Sequence, residues 1–287
     1  MIGEALIDVV DDGSRIVEHV GGSPANVALG LGRRGVSVGL LTQVADDLRG
    51  RAVLEHLSGS AVHVLPASLS ASRTSVAAAR IGPDGHAEYD FDVRWDGFES
   101  PAGTARIVHT GSIAAFMEPG ATAVRQALAR TQAEEITFDP NIRPDLVGDR
   151  PHTVAAFELL ARLATVVKLS DEDASWLYPA LSAESAIVTV LELGPRLVVL
   201  TLGAEGAILA TRTERVRIPA VSIDAVDTIG AGDTFMASLI HSLLDRGSAG
   251  LRQEELEAIG QAATRAAALT VSRAGADLPW ARELDIV

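Results

Sequence analysis

Apolar residues change their spacing several times along the chain, and those changes lay out its elements. Ala5-Leu6-Ile7-Asp8-Val9-Val10 is a short apolar run with a carboxylate near its end, which predicts a buried strand. Asp11-Asp12-Gly13 makes a turn, and Arg15 to Val20 reads as extended. Gly21-Gly22-Ser23-Pro24 then places Ser23 as the N-cap and Pro24 as the first residue of a helix. That helix runs through Asn26, Val27, Leu29 and Leu31 to about Arg34, where Gly35 stops it. A strand is predicted over Val36 to Leu41 and a helix over Leu48 to Leu57. Thr74 to Ile81 and Ala87 to Phe91 read as paired strands across Gly82-Pro83-Asp84-Gly85, a hairpin signal. With Arg15 to Val20 they predict a small antiparallel sheet projecting from the body, as a cover over a pocket or a dimer contact.

From residue 105 the pattern alternates strictly. Strands are predicted at Ile107-Val108-His109, Ile136-Thr137-Phe138, Val166-Val167-Lys168-Leu169 and Leu197 to Leu202, with helices at 119–131, 152–164 and in two pieces over 171–193. Such alternation indicates a parallel sheet covered by helices on both faces. Short strands near Ile208 and Val216 and a long helix from Glu254 to Val271, closed by Arg273 and Gly275, complete the chain. No repeat, low-complexity tract or linker interrupts it, so residues 1–287 read as one α/β domain. Polar residues gather where the predicted parallel strands end: Asp8, Thr110-Gly111-Ser112, Asp139-Pro140-Asn141, Ser170-Asp171 and Thr201-Leu202-Gly203. In open parallel sheets, the ligand crevice lies at those ends.

A composition of 47% hydrophobic and 22% charged residues is that of a soluble globular protein. No apolar run approaches bilayer length, and Met1-Ile2-Gly3-Glu4 is not a basic-then-apolar leader, so no membrane partner and a cytoplasmic location are expected. The absence of cysteine excludes disulfides, thiolate metal sites and cysteine nucleophiles. A formal charge of −14 argues against nucleic acid, but leaves a phosphorylated ligand open, since backbone N–H groups and Mg²⁺ can hold phosphate. Lys168 is the single lysine, and no glycine loop precedes it, which excludes a Walker P-loop. A protein kinase is excluded because no His-Arg-Asp loop exists. Gly30-Leu31-Gly32-Arg33-Arg34-Gly35 matches the dinucleotide fingerprint in letters only. It ends a helix instead of opening one, which removes the sole support for a dehydrogenase.

The chemistry concentrates in Asp227-Thr228-Ile229-Gly230-Ala231-Gly232-Asp233-Thr234-Phe235. Apolar Phe235, Met236, Leu239, Ile240, Leu243 and Leu244 recur at helical spacing behind it, so Asp233-Thr234 is placed as an N-cap pair. Small residues ahead of the helix turn its N–H groups outward, with the positive end of the helix dipole behind them, as an anion requires. A carboxylate beside such a cradle is equipment for transferring phosphate to a hydroxyl. A loop and a capped helix without further function is the alternative.

Residues 227–235 resemble the C-terminal signature of the ribokinase-like, or phosphofructokinase-B, carbohydrate kinases. Gly21-Gly22-Ser23-Pro24-Ala25-Asn26-Val27-Ala28 resembles their N-terminal signature. Gly3-Glu4-Ala5-Leu6-Ile7-Asp8 and Phe138-Asp139-Pro140-Asn141-Ile142-Arg143-Pro144 are most similar to bacterial fructokinases. The resemblance implies a three-layer body with a mostly parallel sheet and a β-sheet lid formed by about 11–20 and 73–98. It further implies ATP with Mg²⁺ and a sugar acceptor, and the projecting sheet offers a homodimer contact through the lid. Asp233 matches the catalytic base, and the amides of Gly230, Ala231 and Gly232 match the anion hole. Asp8, Gly22 and Asn26 match positions that hold sugar hydroxyls, with Phe91 as an apolar lid contact. Thr201, Gly203 and Gly206 match the nucleotide-binding turn, and Thr264 falls near the adenine by position only, with a plain helix residue as the alternative. Ser170-Asp171-Glu172-Asp173 stands where the family often has Asn-x-x-Glu; Ser170 would approach the phosphates and Asp173 a magnesium–water network, or cap a helix. Asp227, Ile229 and Gly275 match a monovalent-cation region, which implies K⁺.

The fructokinase-like segments favour D-fructose. A 2-keto-3-deoxygluconate kinase is the alternative, with Arg143 or Arg94 as partner for its carboxylate. A non-catalytic sugar- or nucleotide-binding regulator on the same fold is the alternative from another class.

Overall fold

The computed structural model describes residues 1–11, 13–81, 87–99 and 104–284. Its first strands are β1 (Leu6–Asp11), β2 (Ile16–Gly21), β3 (Val38–Leu40), β4 (Val62–Val64), β5 (Val76–Ile81) and β6 (Ala87–Asp92). The later ones are β7 (Ile107–Gly111), β8 (Glu135–Asp139), β9 (Val166–Ser170), β10 (Leu197–Thr201), β11 (Ala207–Ala210) and β12 (Arg215–Ile218). The helices are α1 (Ser23–Gly32), α2 (Leu48–Ser58), α3 (Ser112–Phe116), α4 (Gly120–Arg130), α5 (Arg150–Leu163), α6 (Asp171–Leu177), α7 (Ala183–Leu193), α8 (Ala231–Arg246), α9 (Gln253–Val271) and α10 (Ala281–Leu284).

Six strands form a sheet in the order β12-β11-β10-β9-β8-β7. The run from β10 to β7 is parallel, and β11 and β12 are added antiparallel. Ile2 extends this sheet by bridging in parallel to Thr110 of β7 and to Leu41, next to the parallel pair β3–β4. Its N–H donates to the His109 carbonyl at 2.9 Å, and the Leu41 N–H donates to the Met1 carbonyl at 2.9 Å.

Successive strand residues face opposite sides, and two separate cores result. Val166, Leu197, Val199, Ala207, Leu209, Val216 and Ile218 pack with residues of α1, α8 and α9. Phe138, Val167, Leu169, Val198, Leu200, Ile208 and Ala210 pack with residues of α3 to α7. Three layers follow, and covering on both faces is why these strands are nearly all apolar.

A second sheet has the order β2-β1-β5-β6. Two expectations are corrected here. Leu6–Asp11 belongs to this smaller sheet and not to the parallel body, and the sheet is mixed, because β1 pairs parallel with β5. Ile2 already fills the strand position beside β7, and Gly3, at φ 159°, redirects the chain before β1 begins. β5 and β6 pair antiparallel as the pattern suggested, and β1 and β2 pair antiparallel as well, while the Gly82–Gly85 turn lies outside the described residues.

Phe138 of β8 is fully buried, with ring centroids 6.4 Å from Phe116 and 5.7 Å from Phe157. Phe138→Ala should lower unfolding stability by about 3–5 kcal/mol, through lost contacts and the cavity left behind. Urea unfolding followed by circular dichroism measures this.

Candidate active site

Helix α8 begins behind Gly230, whose φ of 78° is left-handed and whose added Cβ would stand 2.8 Å from that of Ala276. Only glycine suits both demands. The Thr234 N–H and hydroxyl both donate to the Gly230 carbonyl at 2.9 Å, and the hydroxyl lies 2.8 Å from that of Thr270, which fastens the turn to α9. Ala231 departs from its expected role, since its N–H donates to the Thr228 carbonyl at 3.2 Å. Gly232 and Asp233 occupy the first turn, where helix geometry gives their N–H groups no acceptor and the dipole favours an anion.

Asp233 is not the cap but the third residue of α8. Its buried carboxylate accepts from the Ser23 hydroxyl at 2.6 Å and from the Asn26 amide at 2.8 Å. Both donors come from the first turn of α1. The cap of α1 is Gly22, at φ 103°, where a Cβ would lie 2.5 Å from the Glu4 carbonyl. Ser23, expected as the cap, sits one position later, and its hydroxyl goes to Asp233 instead.

Asp8 lies close by, its carboxylate against the Cα of Gly21, where any Cβ would overlap it. Burial raises its pKa above the ordinary value, opposed by Arg143 and His19 and reinforced by the charge of Asp233. Register pairs Asp8 with His19 and Ala77, and Ala77 with Phe91, so these four share one face of the smaller sheet. Phe91 is half-buried there. Arg143 is exposed and donates to Asn141 Oδ1 at 2.8 Å; among the described residues no carboxylate pairs with it.

Asp139 and Lys168 are side by side on β8 and β9, since Phe138 pairs with Val167. They form a buried ion pair at 2.8 Å. Burial pushes the Asp139 carboxyl up to about 6; Lys168 pulls it down, while Asp173 and Asp233 push it further up. Burial alone would lower the Lys168 ammonium, but Asp139, Asp173 and Asp233 hold it above its usual value. A Cβ on Gly232 would stand 3.3 Å from Lys168 Nζ, so the ammonium lies under the start of α8. Sequence reasoning used Lys168 only to exclude a P-loop. The available signal was a lone lysine inside an apolar strand.

Ser170 and Thr201 are paired in register at the ends of β9 and β10. Gly203 and Gly206 make a tight turn at φ 53° and 94°, and a Cβ on Gly206 would overlap the Ile218 carbonyl. Ser170 caps α6: its hydroxyl accepts from the Asp173 N–H at 3.0 Å, and Asp173 returns the bond to the Ser170 N–H at 2.9 Å. The other Asp173 oxygen accepts from the Ile142 N–H at 2.7 Å, so its visible role is capping and loop anchoring, the alternative to the magnesium network. Next to them a cavity of about 180 Å³ is lined by Asn141, Arg143, Ser170 and Asp173. Thr264 is buried and donates to the Gly260 carbonyl at 3.0 Å within α9, as a plain helix residue does.

Asp227, Ile229 and Gly275 are brought together, with the carboxylate accepting from the Ile229 N–H at 3.0 Å and from the Gly275 N–H at 2.8 Å. Amides face this carboxylate, which clamps the loop ahead of α8. Among the described residues no group of three or more His, Cys, Asp or Glu gathers into a metal site.

A sheet covered on both faces, flanked by a smaller sheet and ending in a helix N-terminus beside a carboxylate, is the architecture of the ribokinase-like kinases. The pfkB family carbohydrate kinase model matches residues 1–282, and the chain belongs to that family. It is 34% identical over 260 residues to a fructokinase of Rhizobium leguminosarum bv. trifolii, covering 84% of this chain and 78% of that one. A double mutant of Vibrio cholerae O395 fructokinase, solved with fructose, ADP and potassium, superposes with a TM-score of 0.85 at 25% identity, covering 100% of this chain and 96% of that one. Aminoimidazole riboside kinase from Salmonella enterica, with aminoimidazole riboside and an ATP analogue, gives a TM-score of 0.83 at 25% identity over 99% and 97% of the two chains.

Glu4, whose carbonyl lies against Gly22, is buried and its carboxyl accepts from the Ala114 N–H at 3.0 Å. Burial pushes its pKa from 4.5 to about 7, against hydrogen bonds from its own backbone, Ser112 and Ala114 and the charge of Arg143. The folded protein therefore holds this proton where the unfolded chain has lost it, and stability falls as pH rises from 4.5 to about 7. Glu4→Gln should flatten that part of the profile, by a slope of up to about 1.4 kcal/mol per pH unit. Denaturant midpoints at half-unit pH steps give both curves.

Proposed function

We propose that this chain transfers the γ-phosphoryl group of ATP to a hydroxymethyl group of a small sugar, with D-fructose as acceptor. The observation that carries the reading is Asp233: a carboxylate at the start of α8, held by Ser23 and Asn26 beside the N–H of Gly232. Asp233 takes the proton of the attacking hydroxyl. Phosphoryl transfer is largely dissociative, so that proton leaves late and an ordinary carboxylate suffices. The N–H groups of Gly232 and Asp233 hold the travelling charge, and positioning carries most of the rate. Asp8, Gly22 and Asn26 orient the sugar hydroxyls, and Phe91 covers the sugar from the face it shares with Asp8. The smaller sheet acts as a lid whose closure keeps water from the phosphoryl group.

The nucleotide occupies the ends of β9 and β10, with Ser170, Thr201, Gly203 and Gly206 around its phosphates. Mg²⁺ keeps several waters and binds through few protein groups. Asp173, which lines the cavity with Ser170 and Asn141, is the carboxylate that would serve it here, through its waters. Mg²⁺ would supply charge neutralisation on the phosphates. Potassium near Asp227, a cytoplasmic location and a homodimer through the lid belong to the same reading. Among the described residues no helix is long and apolar enough to cross a membrane.

One observation favours a second acceptor. Arg143, exposed and without a carboxylate partner among the described residues, suits a sugar acid such as 2-keto-3-deoxygluconate. A catalytically silent regulator is disfavoured by the intact Asp233 arrangement.

ADP formation with MgATP should be greatest with fructose in a panel that includes ribose, tagatose, 2-keto-3-deoxygluconate and nucleosides. Asp233→Asn should lower turnover by at least about 10²-fold while ATP still binds. Near-normal turnover in that variant would refute the assignment.

A further inference from the structure

Lys168 is the chain's single lysine, and the body of the protein encloses it, with its side chain 4% exposed. An ammonium has three donors. One goes to Asp139 Oδ2 at 2.8 Å, and no other described protein group accepts from it. The second Asp139 oxygen is also buried without a protein partner. Buried polar groups are normally satisfied, and exceptions call for a ligand or a function. A buried ion pair is moreover a poor device for stability, because apolar side chains of similar volume serve as well or better.

The position of the pair supplies the function. Lys168 Nζ abuts Gly232, 3.3 Å from where a Cβ would be, and Gly232 is itself exposed to the groove. With no side chain at 232, nothing on that residue stands between the ammonium and an anion held at the start of α8. Asp8, Asp139, Asp173 and Asp233 crowd the same region with negative charge. A triphosphate adds more. Lys168 is the buried cation placed to offset it at the point of transfer.

We infer that Lys168 is a catalytic residue whose ammonium donates to an oxygen of the phosphoryl group in flight, and that Asp139 is the positioning residue that aims it. The inference rests on the kinase reading and deepens it. In the step, the bond from the γ-phosphorus to the β,γ-bridging oxygen breaks, and its electron pair leaves with ADP. The sugar oxygen forms the new bond to phosphorus, and its proton passes to Asp233. Lys168 keeps its own proton throughout.

Lys168→Met leaves Asp139 as an unpaired buried carboxylate, which is strongly destabilising, so the deciding protein is the double variant Lys168→Met/Asp139→Asn, which removes both charges. Its thermal midpoint should return to within a few degrees of the original. Its kcat should remain at least about 10²-fold down, with the sugar KM changed less than about threefold. Calorimetry should show affinity for β,γ-imido-ATP weakened about tenfold and affinity for ADP, which lacks the γ-group, unchanged. A double variant with kcat within about threefold of the original, or with unchanged affinity for the imido analogue, would overturn the inference. If the unmodified protein forms no ADP with any sugar in the panel, the kinase reading fails, while the comparison of the imido analogue with ADP still decides whether Lys168 meets the γ-phosphate.

Discussion

One set of contacts organises this protein: the Asp233 carboxylate held by the Ser23 hydroxyl at 2.6 Å and the Asn26 amide at 2.8 Å. It joins residues 210 positions apart and brings the N-termini of α1 and α8 to the same point. A buried carboxylate is costly unless hydrogen-bonded, and charge-assisted bonds of this length offset the cost. Two left-handed glycines make the approach possible. Gly22 lets α1 start against the Glu4 carbonyl, and Gly230 lets α8 start against Ala276, where any side chain would collide. The two helices also share the core that covers one face of the main sheet, so packing on that face fixes the geometry of the carboxylate.

The ends of β8 and β9 show how the chain handles charge in its interior. Asp139 and Lys168 lie on adjacent strands near the level where α8 begins, and Asp173 and Asp233 contribute to the field at both. Burial opposes the charge of Asp139 and that of Lys168. Their clustering at one edge of an otherwise apolar sheet separates the two tasks of the strands. The middles hold the layers together, and the ends gather the charged groups.

Much of this was legible in the sequence, and for identifiable reasons. Strict alternation after residue 105 announced a sheet covered on both faces, because buried parallel strands must be apolar while their intervening helices keep a polar stripe. Gly230 to Asp233 announced a helix start with outward N–H groups, because small residues before a helical period let the chain turn tightly into it. Where the reading failed, a tertiary partner decided. Ser23 fits an N-cap by local rules, yet its hydroxyl answers to Asp233. Leu6–Asp11 fits a strand of the main sheet, but Ile2 already occupies that place. Two residues kept the plainer of their two readings: the Thr264 hydroxyl bonds to the Gly260 carbonyl of its own helix, and Asp173 caps α6 with one oxygen while the other anchors Ile142. Lys168 carried no motif at all. Its meaning comes from Asp139 on the next strand and Gly232 above it, neither of which is near it in sequence.

The central claim is geometric: one carboxylate meets an acceptor alcohol while the amides next to it meet phosphate. A crystal structure of the protein with fructose and β,γ-imido-ATP tests it most directly. The account predicts a sugar hydroxymethyl oxygen within hydrogen-bonding distance of Asp233, and γ-phosphate oxygens against the N–H of Gly232. A nucleotide bound away from the start of α8, or a sugar whose hydroxyls never approach Asp233, would contradict it.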